Sequence, residues 1–349
     1  MLLYLHIPYC DSKCFYCNFN STTKMHMTKK VYMQKICEQF AFEAKRYALA
    51  PESISSLFIG GGTPSCIEAT LYSDFFRLIT PYLSKDVEIT TEANPNSASL
   101  KWLQTMKHFG VNRISFGVQS FDDEKLKYLG RAHDSNEAMR ALEDAKKCGF
   151  EHISLDLIYG VKNDTRLLLQ KDIEHAFTLG CDHISAYELT IEAGTKFDER
   201  DKKEEESLGF FVASEIQKRG FSHYEISNFG AYKCRHNLGY WHLKEYIGIG
   251  AGAVGMHKQS RLYGTNEIAE YINNPLQVSI EHLSDEDIKM EKIFLGLRSE
   301  VGIDKNILDI KRQKRAQILV DEDKLIYKNE RFYNKDYFIS DAIALYLID

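Results

Sequence analysis

The sequence predicts an α/β fold built on a parallel sheet and followed by a mostly helical C-terminal module. Six short apolar or alternating runs recur in the first half and stop at Gly, Pro or polar residues. Longer segments with helical spacing separate them, so the order is βαβα, which calls for parallel strands joined by crossover helices. At 349 residues the chain exceeds the roughly 100 to 200 usual for one domain, which leaves room for an attached module.

Residues 2–8, 56–64, 87–95, 113–120, 152–160 and 183–190 are the candidate strands. Between them helical spacing marks 29–48, 68–83, 99–109 and 135–148, the last two stopped by Phe109-Gly110 and Cys148-Gly149. A charged helix over 198–219 and a further strand over 221–229 come next. Residues 230–255, rich in Gly, aromatic and His residues and poor in periodicity, suit a folded loop at a site better than a linker. Ser284 and Asp287 resemble a capping box before Met290, Ile293, Phe294 and Leu297 on one helical face, and a hairpin around Asn329 and Glu330 makes the end winged-helix-like. The expected division is 1–229, a connecting segment 230–283, and 284–349.

A composition of 44% hydrophobic and 27% charged residues is that of an ordinary globular protein, and a net charge of -6 provides no general basic field for nucleic acid. No apolar run approaches the roughly 20 residues that span a bilayer, and Asp11 falls too early for a signal peptide. The expected location is the cytoplasm, with no membrane span; peripheral membrane association stays open. Three of the eight cysteines crowd into Cys10, Cys14 and Cys17. In a large cytosolic chain such a cluster points to metal before disulfides.

These three cysteines, spaced C-x3-C-x2-C, lie in the loop after the first strand, where a short irregular segment can wrap thiolates around one inorganic centre. Three ligands leave one iron of a four-iron cluster open to a substrate or cofactor. A zinc site with His6 or Cys37 as fourth ligand is the alternative, but the paired C-x2-C knuckles of structural zinc are missing. Further polar residues fall at strand ends, where α/β folds keep their chemistry. Gly60-Gly61-Gly62-Thr63-Pro64 would let backbone groups approach a ligand. Glu92, Gln119 and Asp156 each interrupt apolar runs and need a polar ligand or a buried network. Arg131 could clamp a carboxylate.

The stretch from Tyr4 to Cys17, YLHIPYCDSKCFYC, resembles the cluster loop of the radical S-adenosylmethionine superfamily, and closely that of its coproporphyrinogen oxidase-like family. The resemblance implies an incomplete parallel (β/α)6 barrel, a [4Fe-4S] cluster on Cys10, Cys14 and Cys17, and S-adenosylmethionine bound at the open iron. It further implies cofactor contacts at Tyr4, Tyr16, Gly61, Gly62, Thr63, Glu92, Gln119, Arg131 and Asp156. One departure is Val161-Lys162-Asn163-Asp164, where the family commonly has a Pro after Asp-Leu-Ile-Tyr-Gly.

Two branches of that family compete. Oxidases carry a further Cys two residues after the third ligand, where this chain has Phe19. Cys234-Arg-His236-Asn237-Leu-Gly-Tyr240-Trp241 is similar to the H-N-x-x-Y-W element of the heme chaperone branch. That resemblance implies heme as cargo, an exposed His236 imidazole as iron ligand, Asn237, Tyr240 and Trp241 beside the porphyrin, an apo-hemoprotein recipient and an electron donor; it is compatible with a homodimer. The alternatives are that His236 and Trp241 only pack the loop, or that the chain decarboxylates coproporphyrinogen III. Cys234, His242 and His257 are lesser candidates for the heme iron.

Overall fold

The structure, a computed structural model, describes residues 1–203 and 207–348. Six strands, β1 (Leu2–Ile7), β2 (Ile54–Gly61), β3 (Leu83–Ala93), β4 (Arg113–Gln119), β5 (His152–Tyr159) and β6 (His183–Glu188), pair in parallel and in sequence order. The crossovers contain α1 (Lys29–Arg46), α2 (Ser73–Ile79), α3 (Leu100–His108), α4 (Asp123–Tyr128), α5 (Ser135–Lys147) and α6 (Arg166–Thr178). A doubly wound sheet reverses its strand order part-way; this one does not, which selects the partial barrel that periodicity alone left undecided.

The two faces of the sheet divide by chemistry. Leu57 and Ile59, Ile114 and Phe116, Leu155 and Leu157, and Ile184 and Ala186 face the helices in one buried core. The alternate residues are polar: Glu88, Thr90 and Glu92 on β3, Arg113 and Ser115 on β4, Ser154 and Asp156 on β5, His183 and Ser185 on β6. Strand register aligns them in rows, with Thr90 beside Arg113, Ser115 beside Ser154 and Asp156 beside Ser185. Period-2 alternation thus yields a polar inner face ready for ligands and hydrogen-bond networks.

All six expected strands are present, but three segments differ from expectation. Residues 68–83 break into a 3-10 turn (Ala69–Tyr72), α2 and a second turn (Thr80–Tyr82) around Pro81, which lacks the N–H an uninterrupted helix needs. The charged helix expected over 198–219 shortens to α7 (Gly209–Gln217), with residues 204–206 outside the described residues. The strand expected over 221–229 is a hairpin of β7 (Ser222–Glu225) and β8 (Asn228–Gly230) on the β6 edge.

Residues 230–255 are a fourth difference, because they hold regular structure: α8 (Arg235–Trp241), β9 (Tyr246–Ile249) and β10 (Val254–His257). β9 joins β1 in parallel, and β10, β11 (Ser260–Gly264) and β12 (Val278–His282) continue as an antiparallel meander, with α9 (Ile268–Asn273) between the last two strands.

The remainder is α10 (Asp285–Leu297), β13 (Ile303–Asp304), α11 (Ile310–Asp321), β14 (Leu325–Lys328), β15 (Arg331–Asn334) and α12 (Ser340–Ile348), around a separate core that includes Ile293, Leu319, Phe332 and Leu347. The capping box closes at both bonds, Asp287 N–H to Ser284 Oγ at 3.2 Å and Ser284 N–H to Asp287 Oδ2 at 2.9 Å. Asn329 and Glu330 have φ of 51° and 57°, as a two-residue hairpin turn whose twist matches its strands requires.

Candidate functional site

The ends of β2 to β6 surround a cavity of about 480 Å³ lined by Cys10, Cys14 and Cys17 from the loop after β1. Tyr16, Gly61, Gly62, Thr63, Glu92, Gln119, Arg131 and Asp156 also line it, so of the residues expected around the cluster and its cofactor, Tyr4 alone is not in this wall. Tyr4 opens instead onto an adjoining cavity. His6 and Cys37, the candidates for a fourth zinc ligand, do not line the cysteine cavity either. His6 is 7% exposed with both ring nitrogens engaged: Nε2 donates to the Asn20 carbonyl at 2.9 Å, which leaves Nδ1 to accept from Tyr4 Oη at 3.0 Å.

The donor set fits a polynuclear cluster. Among the described residues no three His, Cys, Asp or Glu side chains converge on a single metal position. A four-iron cluster takes each thiolate on a different iron, so its cysteines stand apart, whereas zinc gathers donors at about 2.0–2.3 Å from one centre. The backbone is shaped to the cysteines as well. A Cβ on Gly62 would lie 2.9 Å from Cys10 Sγ and 2.6 Å from the Tyr9 carbonyl, so only glycine lets β2 pass that close. Thr63 Oγ1 donates to Cys10 Sγ at 3.4 Å, and Arg131 Nη1 donates to Cys14 Sγ at 3.0 Å. Hydrogen bonds to the sulfurs of a cluster tune its reduction potential.

Arg131 also binds Asn94 Oδ1 at 2.8 Å and the Gly117 carbonyl, with Tyr16 Oη at 3.5 Å. Its Nε is buried without a partner. Glu92 accepts from the Gly61 N–H at 3.0 Å, and burial, with Asp156 nearby, pushes its carboxyl up to about 8. Asp156 is raised to about 6, again by burial, partly opposed by Ser185, Arg113, Arg131 and Ser115. Burial thus disfavours the charged form of both acids, Glu92 the more, and a cationic or hydroxyl-bearing ligand would favour their ionised forms. Gln119 has φ of 74°, a left-handed conformation costly outside glycine. Asn94, Tyr187 and Glu188 are among the other residues of the wall and escaped the sequence reading. For Tyr187 the signal was available, since it continues the inward row of His183 and Ser185 at period 2.

The residues expected to hold heme lie elsewhere, and the expectation of an exposed His236 is corrected. His236 is 1% exposed, its Nδ1 paired with Ser56 Oγ at 2.9 Å and its Nε2 with Tyr240 Oη at 3.0 Å. Burial lowers the imidazole to about 3, so it is neutral, and neither nitrogen is free for iron as the chain stands. The cause is α8, which packs into the inner face of the sheet: Gly239 sits against Leu2, the His236 ring lies 5.3 Å from that of Phe58, and Glu88 receives the helix N-terminus. Cys234 is fully buried, its thiol pushed up to about 12, which removes it as a thiolate ligand. Asn237, Tyr240 and Trp241 are partly exposed, and Tyr240 reaches the adjoining cavity. His242 is exposed, whereas His257 is partly covered and packs against Tyr47 with the rings tilted by 57°.

A model of the Radical SAM superfamily matches residues 4–176. The chain is 33% identical over 317 residues to the heme chaperone HemW of Lactococcus lactis, covering 86% of this chain and 82% of that protein. It is 34% identical over 322 residues to the heme chaperone HemW of Bacillus subtilis, with 86% and 84% covered, and 38% identical over 264 residues to that of Escherichia coli, with 72% and 69% covered. Among solved structures, coproporphyrinogen III oxidase from Escherichia coli superimposes with a TM-score of 0.79 at 19% identity, over 99% of this chain and 89% of that one. At that identity the likeness speaks to the fold.

Proposed function

The chain belongs to the HemW family of the radical SAM superfamily, and from that membership we propose that it binds heme and passes it to an apoprotein. Cys10, Cys14 and Cys17 would hold a [4Fe-4S] cluster, and the cavity above them would hold S-adenosylmethionine. When bound, that pair supplies one-electron chemistry through cleavage of the sulfonium. The chain's own residues bind and orient: Arg131 fixes Cys14 and Tyr16, Gly61 and Gly62 let the cofactor approach the backbone, and Glu92 and Asp156 accept from its amine or hydroxyl groups. Residues 1–229 would form the barrel unit and 284–349 a separate module with its own core, joined by 230–283.

The single observation that carries the chaperone reading over decarboxylation is the sustained identity to HemW proteins along most of the chain. Phe19 agrees with it: at 68% exposure it stands at the mouth of the cysteine cavity, where the oxidase branch has a cysteine. Among the described residues no helix is long and apolar enough to cross a membrane.

Anaerobically reconstituted protein is expected to bind hemin, to yield it to apomyoglobin as followed by the Soret shift, and to leave coproporphyrinogen III unchanged. Conversion of coproporphyrinogen III to protoporphyrinogen IX would overturn the chaperone reading in favour of the oxidase.

A further inference from the structure

Behind the wall of the cysteine cavity lie two buried charges that do not line it. Lys125, on the six-residue α4, and Asp164, in the loop after β5, have side chains 4% and 1% exposed and form an ion pair at 2.7 Å. The ammonium also donates to the Ile158 carbonyl at 2.7 Å, and Asp164 Oδ2 accepts from the Val161 N–H at 3.1 Å. The pair therefore ties α4 to the end of β5 and to its loop. A helix this short does not hold itself in place. Desolvation offsets much of the attraction in a buried pair, so such a pair adds little net stability and can act instead by fixing one geometry.

The other end of α4 carries the cysteine loop. The Leu129 carbonyl accepts from the Phe15 N–H at 3.1 Å, and a Cβ on Gly130, whose φ is 70°, would lie 2.6 Å from the Phe15 ring. The Arg131 N–H returns to the Leu126 carbonyl at 2.9 Å, and Arg131 Nη1 donates to Cys14 Sγ at 3.0 Å. One short stretch of chain thus links the buried ammonium to the guanidinium on the sulfur. We propose that Lys125 and Asp164 are positioning residues for the cluster: by anchoring α4 they hold Arg131 on Cys14 Sγ, and the hydrogen bond so kept raises the reduction potential of the centre. The inference rests on the cluster reading above and adds which buried groups set the potential. A donor on a cluster sulfur favours the reduced form, which carries the greater negative charge.

The test compares the full chain with Lys125→Met/Asp164→Asn, which removes one charge of each sign and leaves the net charge unchanged. Thermal melts verify folding, iron and sulfide content verifies the centre, and a redox titration followed by electron paramagnetic resonance reads its midpoint. The double variant is expected to keep the parent's iron and sulfide, while the reduced-to-oxidised ratio at the parent's midpoint falls about tenfold, or about 59 mV for one electron. Arg131→Met should shift the midpoint in the same direction, and adding the double substitution to it should shift it little further, because all three residues act through one hydrogen bond. In protein without the centre, hydrogen–deuterium exchange should quicken at least about tenfold over residues 11–18 and 123–131 and keep the parent's rate over β1 to β3. The proposal falls if the double variant keeps the parent's midpoint, if its shift adds in full to that of Arg131→Met, or if exchange over 11–18 is unchanged. It falls as well if the double variant does not fold, which would make the pair a prop of the barrel. If the parent holds no cluster, the cluster reading fails, and the exchange measurement still decides whether the pair anchors the loop.

Discussion

Replacing Cys14 with serine is expected to abolish the iron–sulfur centre. After anaerobic reconstitution the variant should hold less than about a tenth of the parent's iron and sulfide, because a cluster already on three protein ligands does not survive the loss of one. No other thiol is placed to substitute: Cys10 and Cys17 would each hold an iron of their own, and the remaining five cysteines do not line the cavity. Cys66, the sequence neighbour of the glycine loop, is pushed up to about 12 by burial. Cys14 is only partly buried and packs no core, so far-UV circular dichroism should be unchanged. Cys148→Ser, at the end of α5, should retain the full cluster. A Cys14→Ser protein with parent-like iron and sulfide would remove this residue from the ligand set.

The largest effect on stability is expected at Glu88. It is 1% exposed on β3 and accepts from the Arg235 N–H at 2.8 Å, the His236 N–H at 2.9 Å and Tyr232 Oη at 2.7 Å. On the neighbouring strand Arg113, beside Thr90 and 2% exposed with Nε unpartnered, adds a favourable charge. Glu88→Ala would remove one of the negative charges that act on buried Arg113 and leave the α8 N-terminus without its acceptor. Hydrogen bonds to a charged group contribute about 1.5–3 kcal/mol each, so losing three should cost at least about 3 kcal/mol. The pH dependence has a definite sign. Burial acts to raise the Glu88 carboxyl, but Arg113 and the three hydrogen bonds outweigh it and hold the group below its ordinary 4.5. A depressed carboxyl contributes stability above its unfolded value and loses it as pH falls through the folded value. The gap between parent and variant in a urea titration should therefore be full at pH 7 and narrow in acid. An equal gap at pH 7 and pH 3 would contradict this account.

Local sequence reveals elements whose determinants are local. The six strands were legible because apolar runs end at Gly, Pro or polar residues, and Glu92, Gln119 and Asp156 stood out because a polar residue inside such a run needs a partner. The cysteine loop stood out because Cys10, Cys14 and Cys17 crowd together while the other five cysteines are scattered. By contrast α8 was read as a loop, because its cap is Glu88, 147 residues earlier on a neighbouring strand, and because glycine and aromatic residues give it little intrinsic propensity. His236 and Tyr240 are four apart, so they share a helix face only once that helix exists; without it, the imidazole appeared free for iron. Tyr4 lines the adjoining cavity, which meets the first at Gly61 and Glu92, since a strand's register says which face a residue takes but not where one cavity gives way to the next.

The central claim is that three thiolates hold a cluster with one iron open to S-adenosylmethionine. The most direct measurement is the electron paramagnetic resonance spectrum of the reconstituted, dithionite-reduced protein before and after S-adenosylmethionine is added. The account predicts a reduced four-iron signal whose g values shift on addition, and no shift in Cys14→Ser, which lacks the cluster. Protein that contains stoichiometric zinc and no sulfide, or a four-iron signal indifferent to S-adenosylmethionine, would contradict it.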